Sequence, residues 1–361
     1  MEKESLRIKS ACVQGGYIWT VPVNMAGLYR IDPVSGVRKC VCRLEYENQE
    51  TWYFTCPGKD KIWGISEQRR PLRVFSYDLM EEKLAYYESY GVESRTYISV
   101  EYEGIIYSFF RDVGEGCLCF DTDNKTFYFE QIWEATLRNA GVQGKIFSHF
   151  CEGEHVYFTL SDTSYILYYN LRTKEMNLLD TGVKLQGIAV KSGIYYCITA
   201  VGREVIMIDP VTGNSNKVVD ASECVQPYFR IFRLGSKILL LGANELDDLN
   251  EEKGEILRCE VSGSVERLYP RSSLFVANCS VNSLNCLLPF CADRLLVFDE
   301  KGELRTTYFP ELMEEEVRQL NTEMLLRKGV AEEGEELSLE AYMKYLKWQE
   351  EREVAMKKEA M

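Results

Sequence analysis

The chain has 361 residues, 46% of them hydrophobic, and a formal charge of −14 at pH 7. That much apolar material excludes global disorder, and the acidic balance argues against a nucleic-acid backbone or an anionic membrane as main partner. No stretch approaches the ~18 apolar residues of a membrane span, and the opening "MEKESLRIKSACVQGG" lacks the apolar run of a secretory signal, so a soluble, cytoplasmic chain is expected.

The first recognisable sentence is "LYRIDPVSGVRKCV" at 28–41, and it returns as "VIMIDPVTGNSNKVV" at 205–219. The pattern is an apolar strand ending in an acidic residue, about four turn-formers, and a second apolar strand. It recurs in chain order at Asp32, Asp78, Asp121, Asn170, Asp209, Glu260 and Asp299, at intervals of 46, 43, 49, 39, 51 and 39 residues. A period of this size marks propellers and related arrays. The acidic side chain can accept backbone N–H groups two residues on, Pro33 presets φ in the turn, and Gly36 can take the left-handed conformation that closes a bulged hairpin. These seven residues therefore read as hairpin chemistry, not as a metal or catalytic ring.

A second element runs about a dozen residues upstream of each turn: "GGYIWTVP", "KDKIWGIS", "EGIIYSFF", "GEHVYFTL", "KSGIYYCIT", "GSKILLLG" and "LNCLLPF". Before each lies one more apolar segment, so every unit holds four short strands. Four strands per unit with aromatic second strands favour radial blades over a linear solenoid. The expected fold is all-β, a seven-bladed β-propeller of four-stranded antiparallel blades over residues 1–309. Blade one begins with its innermost strand and blade seven ends with its outermost, so closure by face packing without a shared strand is expected.

The "IDPVSG" and "IDPVTG" turns resemble those of Kelch-like and quinoprotein-like propeller repeats, at superfamily level. The chain departs from both: the Kelch double glycine is replaced by "TVPV", "ISEQ" or "LGAN", and the quinoprotein Trp after the turn is absent. The resemblance implies a propeller and carries no site residues across.

In a propeller, connections between second and third strands share one face with the connections between blades. On that face the sequence places Arg69, Arg70, Arg95, Arg111, Lys145 and Arg203, candidates for orienting an anionic ligand or the acidic groups of a partner. Two connections look long: "QIWEATLRNAGVQGK" (131–145), which fits a short helix, and the acidic "NELDDLNEEKG" (244–254), which reads as a solvated insertion. Of the two histidines, His149 reads as a buried, hydrogen-bonded strand residue. The thirteen cysteines form no disulfide framework; several lie in apolar runs, and the pairs Cys40/Cys42 and Cys117/Cys119 lack the partners of a tetrahedral metal set. A reducing compartment is expected. No nucleophile, zinc, phosphate-loop or dinucleotide motif occurs, so no catalytic residue, metal or cofactor is assigned.

After Phe309, Glu, Lys, Met and Leu replace Tyr and β-branched residues. Met313, Val317, Leu320 and Met324, then Leu339, Tyr342, Met343 and Leu346, recur at helical spacing. Residues 310–361 are expected to form a helical extension that packs on the propeller, docks into another protein or pairs with a second copy. The function expected is a non-enzymatic scaffold that holds a protein partner or polar ligand on its loop face. The alternative is a propeller lyase or glycoside hydrolase working at the channel mouth, and a small-molecule sensor is a third reading.

Overall fold

The second strand of each repeat is apolar at nearly every position, as in "KILLL" and "IYYCIT", which requires burial on both of its faces. The computed structural model shows why. It describes residues 6–22, 27–44, 53–66, 72–89, 96–130, 134–220, 228, 230–242, 246–259, 277–288, 291–292, 294–299 and 303–310. Within these are seven antiparallel sheets of four strands each, every one a simple meander in chain order.

Blade 1 comprises Cys12–Gln14, Tyr17–Thr20, Gly27–Ile31 and Arg38–Arg43, and blade 2 Tyr53–Pro57, Lys61–Ser66, Leu72–Asp78 and Lys83–Ser89. Blade 3 comprises Thr96–Tyr102, Ile105–Phe110, Cys117–Asp121 and Thr126–Glu130, and blade 4 Ile146–Glu152, His155–Leu160, Tyr165–Asn170 and Met176–Asp180. Blade 5 is built from Leu185–Lys191, Ile194–Thr199, Glu204–Ile208 and Ser215–Asp220, and blade 6 from Arg230–Leu234, Lys237–Leu241, Leu246–Asn250 and Glu255–Arg258. Ala277–Val281, Leu284–Leu288, Arg294–Phe298 and Leu304–Tyr308 form blade 7.

Each pair of neighbouring blades encloses its own apolar cluster, and the seventh interface, between blades 7 and 1, is as dry as the others. There Leu6, Ile18, Tyr29 and Ile31 meet Val281, Leu288, Leu295 and Val297, so the sheets close into a ring. The two faces of one second strand serve different interfaces. Ile238 and Leu240 pack toward blade 5, while Leu239 and Leu241 pack toward blade 7. Alternation with a period of two thus places every residue of an apolar strand in a core. Cys117 and Cys119 share one face of their strand and are buried beside Phe109 and Tyr169, where thiols act as small hydrophobes.

The seam carries an addition to the expected closure. Blades 1 and 7 share no strand, but Leu6–Arg7 pairs antiparallel with Cys291–Ala292, between the second and third strands of blade 7. Arg38 of blade 1 also donates from Nη2 to the Pro310 carbonyl at 2.8 Å, and its guanidinium lies 5.5 Å from the centroid of the Phe309 ring. Face packing is therefore supplemented by a backbone pairing and by an arginine clasp.

The repeated turn works as its chemistry dictates. Asp32 Oδ1 accepts the amides of Val34 (2.8 Å) and Ser35 (3.0 Å). Asp78, Asp121, Asn170 and Asp209 accept the amides two and three residues on in the same way. Four positions after each, at Gly36, Glu82, Lys125, Lys174 and Gly213, φ is positive, which closes the bulged hairpin. Asp299 accepts the amide of Glu303 at 2.9 Å.

Blade 6 corrects the reading of the sequence. Its turn residue is Asn250, which accepts the Lys253 amide at 3.2 Å and is followed by Gly254 at φ 65°; Glu260, the residue read from the sequence, lies outside the described residues. "ILRC", read as a third strand, lies in the outermost one, and most of the supposed acidic insertion is the third strand, Leu246–Asn250, with its turn. Its charges are met by tertiary partners. Asp247 is fully buried and accepts from Tyr228 Oη, Asp248 pairs with Lys237, and Glu251 takes Lys191 and the Tyr196 hydroxyl.

The short helix forms at Glu134–Asn139, with Leu137 buried between blades 3 and 4 and Gly141 at φ 64° ending it. The helical extension read in the sequence, from 311 onward, lies outside the described residues.

Candidate anion site at the channel mouth

Asp112, just after the second strand of blade 3, forms a β-bridge with Lys145, just before the first strand of blade 4. The Ile146 amide donates to the Arg111 carbonyl (2.8 Å) and the Ser161 amide to the Lys145 carbonyl (2.8 Å). Connections within and between blades thus share one face, and Arg111 and Lys145 stand together on its rim. In blade 5 the Tyr228 amide donates to the Gly202 carbonyl at 2.8 Å, which sets Arg203 on the same face. All three side chains are exposed. Arg69, Arg70 and Arg95 lie outside the described residues.

The innermost strands run into the ring from this rim. Arg230 opens the strand of blade 6 and is only 9% exposed. Its Nη1 donates to Ser148 Oγ of blade 4 at 3.4 Å, reaching past blade 5. Its Nε is buried with no hydrogen-bond partner, and the guanidinium forms no ion pair among the described residues. Arg233, three residues on, is by contrast neutralised by Glu152 of blade 4. A buried charge left uncompensated costs several kcal/mol, so Arg230 stands out from ion-paired residues such as Arg233.

Two more groups adjoin it. The Tyr97 hydroxyl donates to the Phe147 carbonyl at 2.7 Å, and its ring meets His149 edge-on at 5.6 Å. Burial raises the phenol pKa, opposed by the positive charges of Arg230 and, more weakly, Arg111. Burial, reinforced by Arg230, pushes the His149 pKa down to about 3, so the imidazole is neutral at pH 7. Its Nδ1 is shut off from solvent and has no partner, which corrects the expectation of a satisfied core histidine.

Further orphaned hydroxyls lie toward the same end of adjacent blades. Thr96 begins the innermost strand of blade 3, and Thr159 and Thr199 sit at the rim end of the second strands of blades 4 and 5. Buried polar atoms without partners are scarce in folded proteins; here they collect toward one end of blades 3 to 6. A guanidinium, a neutral imidazole and hydroxyls are all groups that can hydrogen-bond to an anion.

No group of three His, Cys, Asp or Glu side chains suited to a metal occurs among the described residues. The His155 Nδ1 is matched to the Tyr168 hydroxyl at 2.8 Å.

No protein-family description and no curated protein sequence matches the chain. Solved structures do. A catalytically inactive variant of virginiamycin B lyase from Staphylococcus aureus, crystallised with quinupristin, is similar at 12% identity and a TM-score of 0.57, over 81% of this chain and 94% of that one. YCF48 from Cyanidioschyzon merolae is similar at 10% identity and a TM-score of 0.61, over 84% and 98%. A chain of the mitotic checkpoint complex is similar at 10% identity and a TM-score of 0.51, over 84% and 90%. At such identities the likeness is one of fold: the chain is a propeller among propellers.

Sequence reasoning missed Arg230, Tyr97 and Ser148. The one available signal was the presence of arginines, Arg230 and Arg233, in the short innermost strand "RIFRL".

Proposed function

We propose that the protein is a non-enzymatic binding module that holds an acidic partner protein or polar anionic ligand on its loop face. The observation that carries this reading is the buried Arg230 guanidinium, without a carboxylate partner among the described residues, beneath a rim bearing Arg111 and Lys145. In a chain of net charge −14, a local positive mouth selects anions by contrast with its surroundings. Eleven of the twelve cysteines in the described residues are free thiols, which supports a reducing, cytoplasmic setting. The 310–361 extension serves as the assembly arm in this reading.

The lyase reading draws support from the fold likeness to virginiamycin B lyase. It needs a proton acceptor at the mouth, and an imidazole with a pKa of about 3 is a weak one at neutral pH.

The deciding experiment is affinity capture from the native cell with the intact chain and with an Arg111→Glu/Lys145→Glu chain. Capture of a defined partner by the first and its loss in the second is expected. Equal capture by both, or turnover of a panel of lactone, ester and glycoside substrates by the purified protein, overturns the reading.

A further inference from the structure

We infer that Arg230, His149 and Tyr97 together bind a single carboxylate group that enters from the Arg111–Lys145 rim. This deepens the binding reading above and rests on it.

The chemistry of the site selects the ligand. One guanidinium nitrogen, Nη1, is engaged by Ser148, at 3.4 Å. The buried Nε has no partner, while the Tyr97 hydroxyl also lies within hydrogen-bonding reach of the guanidinium, so the Nε edge, with Tyr97 beside it, is the part of the group left for an incoming oxygen. That edge matches a carboxylate, which accepts parallel N–H bonds from arginine. The imidazole next to it is neutral, and its unpartnered Nδ1 supplies a second contact, donating in one tautomer and accepting in the other. Among the described residues the deep charge count is therefore +1. A carboxylate of charge −1 balances it, whereas a phosphate dianion would bring one charge too many into a poorly solvated place.

Arg111 and Lys145 have a different task. Both are exposed and neither forms an ion pair among the described residues, nor does the neighbouring Asp112. Arg111 lies near enough for its charge to bear on the Tyr97 hydroxyl. The rim pair steers an anion toward the mouth, and the desolvated Arg230 holds it. The two layers predict different kinetics. Loss of a rim charge slows association and flattens its salt dependence, while loss of Arg230 shortens the lifetime of the complex.

The carboxylate can come from a small organic acid or from an acidic segment of a protein, and the test separates these. The intact chain is titrated by calorimetry, in chloride-free buffer, with glutarate, with a tetraglutamate peptide, with neutral glutaramide and with inorganic phosphate. Saturable binding of glutarate or tetraglutamate, with none for glutaramide, is expected. A small-acid site binds glutarate at least as tightly as the peptide; a protein-segment site binds the peptide roughly tenfold or more tightly. Arg230→Met should weaken either roughly tenfold or more, and Arg230→Lys should retain part of it. Because replacing a buried charge with an apolar side chain is often neutral for stability, Arg230→Met is expected to fold, as checked by its melting temperature. Should it unfold, the 15Nε resonance of Arg230 in the wild-type chain, shifting on addition of glutarate, provides the readout. No saturable binding of either carboxylate, unchanged binding in Arg230→Met, a silent Arg230 resonance, or tighter binding of phosphate than of glutarate overturns the proposal. Cellular capture that survives while both carboxylates fail to bind leaves the binding-module reading standing and removes this one.

Discussion

Arg233 on blade 6 reaches past blade 5 to Glu152 on blade 4, with Nη1 3.1 Å from Oε2 and 3.0 Å from the Val190 carbonyl of the intervening blade. Its guanidinium also lies 5.4 Å from the centroid of the Phe150 ring. Three innermost strands are tied by one side chain, toward the end of the channel opposite the loop face. The pair is half open to water, which limits its worth to about 1 kcal/mol. Glu152→Gln is expected to lower stability by no more than about that amount, with the deficit shrinking at high salt. Urea unfolding at low and high ionic strength checks both.

The turn aspartates set an acid limit. Backbone amides hold the carboxyl groups of Asp32, Asp78, Asp121 and Asp209 below the ordinary carboxylate range. A depressed native pKa contributes stability that is present above the unfolded value of about 3.9 and is lost as pH falls through the native one. Replacing all four with Asn, which blade 4 uses at Asn170, keeps the amide acceptor and removes the titration. The quadruple variant is expected to lose less stability between pH 5 and pH 2 than the parent, as read by denaturant midpoints.

His149 acts in a different window. Its native pKa of about 3 lies below the unfolded value, so between about pH 6.5 and pH 3 the unfolded chain binds the extra proton and stability falls as pH falls. His149→Phe should flatten that slope. In the parent, the His149 ring resonances are expected to stay fixed from pH 8 to pH 4. A titration near pH 6.5 would mean that the imidazole is solvated.

Backbone strain in the hairpins gives a graded set. Glu82 is exposed at φ 54°, where glycine is at ease, so Glu82→Gly should be neutral or stabilising by up to about 1 kcal/mol. Gly213→Ala meets open space and should cost about 1 kcal/mol for φ alone. Gly36→Ala should cost more, because its Cβ would come 2.8 Å from the Tyr308 carbonyl across the seam. Thermal melts of the three variants should rank in that order.

What the sequence by itself determined is the repeating unit. The Asp32 and Asp209 turns announce themselves because their hydrogen bonds run to amides two and three residues away, and the second strands because burial on both faces leaves no polar position. Seven such units, with an aromatic and aliphatic flank on each, suffice to imply the ring. Only the tertiary structure decided the register of blade 6, where Asp247 and Asp248 look like loop residues until Tyr228 and Lys237 arrive to satisfy them. The same holds for the seam pairing of Leu6–Arg7 and for the contrast between Arg230 and Arg233. Turn geometry and strand period are local, written within a few residues. Whether a charge is neutralised depends on which side chains the fold brings to it, from 11 residues away for Lys237 and Asp248 to 81 for Arg233 and Glu152, and strand period alone does not contain that.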